Sequence, residues 1–112
     1  VVDDTPWVAR GHSRETTYQQ DLVARDAIEA AAQVLLAQVL DDVAAEGRPV
    51  VGLGLKVRYA PFLTKTFTRK IAETHDRATV IAEASVLLAK IEPDRPVRLL
   101  GMRAEMAMPD DA

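Results

Sequence analysis

From Val50 to Tyr59 apolar residues alternate one for one with small or charged ones: Val51, Leu53, Leu55, Val57 and Tyr59 against Gly52, Gly54, Lys56 and Arg58. A period of two is that of a strand with one packed face and one open face. Val97–Met106 repeats it, with Leu100, Met102, Ala104 and Met106 opposite Gly101, Arg103 and Glu105. Elsewhere the period lengthens. Ile28, Ala32, Leu35 and Val39 recur at helical spacing, widened by Ala31 and Val43, and Val80, Ala84, Leu87 and Ile91 do the same beside Ile81 and Leu88. The punctuation agrees. Asp26, with Glu29 three residues on, has capping-box spacing, and Gly47 and Pro49 stop that helix after about 30 Å. A break at Glu73–Asp76 precedes a second helix from about Arg77, which Pro93-Asp94-Arg95-Pro96 ends.

Two further strands complete the pattern. Trp7–Tyr18 reads as a first strand, interrupted at Gly11 and Ser13; Gly11 suits a bulge or a close approach of another backbone. Leu63–Ile71 is rich in threonine and carries an aromatic residue, which suits a pleated strand. Alternation puts Lys65, Phe67 and Arg69 on one face and Thr64, Thr66 and Thr68 on the other. The Ala60–Pro61 turn joins it to the preceding strand as a hairpin. The order βαββαβ predicts an α+β fold, a four-stranded sheet with two helices packed on one face, in the ferredoxin-like layout. The expected division is a linker remnant at 1–6, one domain at 7–108 and a polar tail at 109–112. A chain that begins with valine is expected to be a piece of something larger.

The composition supports one globular domain: 112 residues, 48% hydrophobic and only 4% aromatic, hence an aliphatic core. There is no cysteine, so neither a disulfide framework nor a thiolate metal site is available. No apolar run reaches membrane-spanning length. The net charge of −3 argues against a nucleic-acid partner until the charges are placed. Eleven of the 14 Lys and Arg residues fall in strand-like segments or at their edges, whereas the first helix carries Asp26, Glu29, Asp41, Asp42 and Glu46. A basic sheet with an acidic back is expected. Local field, not net charge, steers a polyanion.

Catalytic constellations are missing from the sequence. His12 and His75 stand without ligand partners at metal spacing. Gly52-Leu53-Gly54 lies within a strand and is no nucleotide loop. Asp41–Asp42 and Asp110–Asp111 are adjacent pairs without the setting of a two-metal site. Met102, Met106 and Met108 read as core filler. What stands out is the set Lys56, Arg58, Lys65, Arg69 and Arg103, which together favour an anionic partner.

Three segments carry a resemblance. Ser13-Arg14-Glu15-Thr16-Thr17-Tyr18 with Asp21-Leu22, Leu55-Lys56-Val57-Arg58-Tyr59-Ala60 with Phe62, and Arg95-Pro96-Val97-Arg98-Leu99-Leu100-Gly101-Met102-Arg103 resemble, in order and spacing, the little finger (polymerase-associated) domain of Y-family translesion DNA polymerases of the bacterial polymerase IV (DinB) type. The resemblance covers essentially the whole chain. It implies a non-catalytic domain whose sheet grips the phosphates of template–primer duplex without reading bases. The contacts it implies are Ser13, Arg14, Lys56, Arg58, Lys65, Phe67, Arg69, Arg98, Gly101 and Arg103. The family's third strand commonly reads Thr-Arg-Ser-Arg-Thr; here Arg69 keeps the second arginine and Phe67 stands in place of the first, with Lys65 two positions earlier.

The same resemblance implies the polymerase's own catalytic core as a partner and the sliding clamp as another, although 109–112 does not match the usual clamp-binding peptide. It implies a cytoplasmic, nucleoid-associated setting, no cofactor in this chain, and Mg²⁺ only in the catalytic core. Two other readings of the layout stay open. One is a single-strand nucleic-acid binder stacking bases on Phe67; the other is a ligand-sensing or oligomerising module, which would want an apolar open face.

Overall fold

A computed structural model describes residues 11–61, 63–92 and 95–107. The expected linker and tail, the start of the first strand, Phe62, Met108 and the Pro93–Asp94 step lie outside the described residues. The elements are β1 (Gly11–Leu22), α1 (Arg25–Glu46), β2 (Val50–Tyr59), β3 (Leu63–Thr74), α2 (Arg77–Leu88) and β4 (Val97–Met106). This is the expected α+β order. The strands lie β1-β4-β2-β3, and every neighbouring pair is antiparallel. Both helices pack on one face, α1 over β4 and β1, α2 over β2 and β3.

The core lies between these two layers. Leu53, Leu55, Val57 and Tyr59 of β2 and Leu100, Met102, Ala104 and Met106 of β4 are buried beneath Ile28, Ala32, Leu35, Val39 and Val43 of α1 and Val80, Ala84 and Leu87 of α2. The predicted stripes therefore hold, with Leu36 and Leu40 widening that of α1. Leu55 is fully buried, and truncating such a leucine to alanine costs about 2–5 kcal/mol.

The start of α1 differs from expectation. Helix α1 starts at Arg25, with Ala24 at its N-cap and no side-chain cap bond. Asp26 therefore lies inside the first turn, where its Oδ1 accepts the Ala27 N–H at 3.0 Å, and Glu29 accepts from Arg25 Nε at 2.9 Å. The capping box does not form. Arg25 also donates from Nη1 to the Ile91 carbonyl, just past α2, and from Nη2 to that of Leu88, the last residue of α2. At the other end Gly47 adopts φ 74°, a left-handed conformation that costs glycine little, and its N–H reaches the Val43 and Ala44 carbonyls.

In β2, a register shift between Val50 and Gly52 gives the buried place to Val50 and leaves Val51 half-buried. In β4, Val97 pairs with Tyr59 and Leu99 with Arg58, so Arg98 is an extra residue in the ladder. The loop after α2 is tied to the sheet by Tyr59, whose hydroxyl accepts the Glu92 N–H at 2.9 Å, and by the Ala60 N–H donating to the Pro96 carbonyl.

Candidate nucleic-acid interface

The face away from the helices is built in four rows that cross all four strands. From one end they run Gly11–Glu105–Gly52–Lys70, Ser13–Arg103–Gly54–Thr68, Glu15–Gly101–Lys56–Thr66 and Thr17–Leu99–Arg58–Thr64. Successive rows stand about 7 Å apart along the strands. Each row carries one cation: Lys70, Arg103, Lys56 and Arg58. Two carboxylates, Glu105 and Glu15, share the face.

Glycine lowers the floor between those cations. Gly54 and Gly101 underlie a depression of about 210 Å³ that Ser13, Glu15, Lys56, Thr66, Thr68 and Arg103 also line. A second, of about 220 Å³, adjoins it through Gly54, Thr68 and Arg103 and reaches Lys70 and Glu105. Alternation in β2 and β4 puts glycine here because the same strands bury leucine and methionine on their other side.

Electrostatically the four cations are unequal. Lys56 lies 3.6 Å from Glu15, and Arg103 lies 3.8 Å from Glu105. Arg58 donates instead to the Thr64 hydroxyl at 3.1 Å. Arg58 and Lys70 have no carboxylate partner among the described residues. A chain of net charge −3 thus presents four cations against two carboxylates on this face.

Ser13, Lys56, Arg58, Gly101 and Arg103 are brought together there, as expected. Five other expected contacts are not. Phe67 pairs with Leu55, Lys65 with Val57 and Arg69 with Leu53, so all three lie on the helix side of the sheet. The reason is parity. Tyr59 pairs with Leu63 across the hairpin, and this puts the odd-numbered residues of β3 on the buried face of β2. Phe67 packs against the core with Lys90 Nζ 5.9 Å from its ring centroid. Arg69 donates to Glu83 of α2 at 2.7 Å, and Lys65 lies 3.7 Å from Glu92.

Arg14 is the fourth. It pairs with Met102 and reaches α1, where its Nε and Nη2 meet the two oxygens of Asp42 at 2.9 and 3.0 Å. This two-pronged bond raises the Arg14 pKa and holds the Asp42 carboxyl below the usual aspartate range. Next to it His12 Nε2 meets Glu46 at 3.0 Å. Arg98, the extra residue of β4, bonds Asp21 at 3.2 Å. Part of the helices' negative charge is therefore matched by cations on the sheet's near side, Asp42 by Arg14 and Glu83 by Arg69, while Asp41 and Glu29 pair with Arg77 and Arg25 of the helices. The missed open-face residues are Lys70, Thr64, Thr66 and Thr68. Alternation within β3 carried no signal for them, because threonine and the residues between the threonines suit either face of a strand.

Among the described residues no three potential ligands gather at a metal site, and no helix is long and apolar enough to cross a membrane. No aromatic side chain of the described residues lies in the four open rows.

Residues 9–112 match the family model of the impB/mucB/samB family C-terminal domain. The chain belongs to that family. It is 40% identical over 102 residues to DNA polymerase IV 2 of Mycobacterium tuberculosis, covering 90% of this chain and 30% of that protein. To DNA polymerase IV of Methanoculleus marisnigri it is 35% identical over 99 residues, covering 84% and 26%. The chain thus spans under a third of the length of these relatives. Its fold is that of the little finger domain in a solved complex of the beta-clamp processivity factor with the little finger domain of PolIV (TM-score 0.70, 20% identity, 89% of this chain and 91% of that one). It is likewise similar to DinB from Sulfolobus solfataricus (TM-score 0.69, 14% identity, 89% and 29%). The resemblance to the little finger domain of Y-family polymerases, read from three motifs, thus holds for family and for fold.

Proposed function

We propose that the open face grips the sugar–phosphate backbone of duplex DNA without reading its bases, as the DNA-holding domain of a translesion polymerase. The observation that carries this reading is the placing of one cation in each of four successive rows, three of them floored with glycine. Such a surface offers charge along a line and room for a bulky backbone to approach. It offers no donor–acceptor pattern fixed enough to discriminate base pairs. The lack of a ring on this face speaks against stacking of single strands, and its charge against an apolar self-association surface. A solved relative of the same fold is a ternary complex of Dbh.

The catalytic core of the same polymerase is a proposed partner, and any Mg²⁺ belongs to that core's chemistry. The sliding clamp is a second proposed partner, on the strength of the solved clamp complex of a similar little finger. A setting at the chromosome follows from these roles.

Fluorescence anisotropy with labelled duplexes tests the reading. If all four cations meet phosphates, log K against log salt falls with a slope of about −3 to −4. Binding is indifferent to duplex sequence and stronger for duplex than for unstructured single strands. A flat salt dependence, or a preference for single strands, rejects it.

A further inference from the structure

Glu15, Gly101 and Lys56 stand side by side in one row of the open face. The carboxylate and the ammonium meet above the glycine at 3.6 Å. A β-carbon at position 101 would lie 3.1 Å from Glu15 Cβ and 3.5 Å from Lys56 Cβ. Glycine is what lets this pair span the central strand. The two side chains keep 53% and 40% of their exposure, a setting in which an ion pair adds little to folding. Its consequence falls on binding instead, because Glu15 and Lys56 both line the glycine-floored depression beside Arg103.

We propose that Glu15 is an intramolecular competitor for the phosphate at Lys56, so that the face grips a duplex without locking it in place. This rests on the reading of the open face as the DNA surface. A phosphate oxygen arriving at Lys56 must replace the carboxylate oxygen at the same ammonium. It then leaves a like charge, Glu15, at its side. The row beyond works differently: Arg58 is held by a neutral hydroxyl, that of Thr64, which a phosphate displaces without charge repulsion. Glu15 therefore sets the strength of one of the four phosphate contacts, and it does so through Lys56.

The test uses the 112-residue chain and a labelled duplex, with Glu15→Gln, Lys56→Met, the double variant and Arg58→Glu. Glu15→Gln is expected to tighten binding about three- to tenfold at low salt, a gain that shrinks as salt rises. Lys56→Met is expected to weaken it, and the double variant to bind no more tightly than Lys56→Met alone. Unchanged thermal melting shows that the exposed substitutions leave the fold intact. If Glu15→Gln gives no gain, or gives the same gain when Lys56 is gone, the competitor is overturned while the DNA face stands. If neither Lys56→Met nor Arg58→Glu weakens duplex binding, the face is not the DNA surface and both conclusions fall.

Discussion

Phe67 of β3 lies directly across the ladder from Leu55 of β2, and that pairing turns Lys65, Phe67 and Arg69 toward the helices. The strand's polar outer face is then Thr64, Thr66, Thr68 and Lys70. A strand of this composition has two chemically plausible faces, and only its partner chooses between them.

Substitution at Phe67 reads that choice. Phe67→Arg puts a charge against the core beside Lys90, and we expect a loss of roughly 1–3 kcal/mol in stability. Duplex affinity should not rise. Thermal melting and anisotropy on the same preparations check both, and tighter DNA binding by the variant would return Phe67 to the open face.

Arg69 and Arg58, two arginines on adjacent strands, should behave oppositely. Arg69→Glu breaks the pair with Glu83 and places two carboxylates together, costing about 1 kcal/mol or less in this half-exposed setting. It should alter DNA affinity far less than Arg58→Glu. The latter removes an unopposed open-face cation and should reduce the salt slope by about one unit. Salt titrations of the two variants side by side settle the comparison.

Tyr59 is fully buried, yet its hydroxyl accepts the Glu92 N–H. Tyr59→Phe keeps the packing and strands that donor, so a loss of about 1–2 kcal/mol is expected. Hydrogen exchange at Glu92 should accelerate, while DNA binding stays unchanged. An unaltered melting curve would mean that the hydroxyl does not anchor the loop.

The Arg14–Asp42 pair predicts a pH dependence. Hydrogen bonding from Arg14, followed by its charge, lowers the Asp42 pKa against the opposing effect of burial, and the neighbouring His12 helps. The folded pKa lies below the unfolded one, so the pair stabilises the fold above the unfolded aspartate value. That contribution is lost as pH falls through the depressed folded value. An NMR titration of the Asp42 carboxyl should show a midpoint below the ordinary aspartate range, rising toward it in Arg14→Leu. A midpoint that does not respond to Arg14→Leu would remove the arginine as the cause.

The sequence by itself determined the elements and the family. Alternation from Gly52 to Tyr59 and from Leu100 to Met106 buries leucine and methionine on one face, so Lys56, Arg58, Gly101 and Arg103 were bound to the open side. The helical stripes left no freedom either, since Ile28, Ala32, Leu35 and Val39 share a face at one spacing only. Motifs around Ser13, Leu55 and Arg98 carried the resemblance that residues 9–112 bear out.

Register was decided by the tertiary structure. β3 alternates threonine with mixed residues, so its pattern fits either side. The Tyr59–Leu63 pairing, set by the hairpin, moved Lys65, Phe67 and Arg69 away from the proposed DNA face and brought Lys70 onto it. Arg14 was legible as a cation but not as the partner of Asp42, 28 residues away on another element. The extra residue at Arg98 likewise needed both ladders of β4 to be seen. A period of two says that a strand has two faces; which one meets the core depends on the neighbour that hydrogen-bonds to it, and a one-residue shift exchanges them.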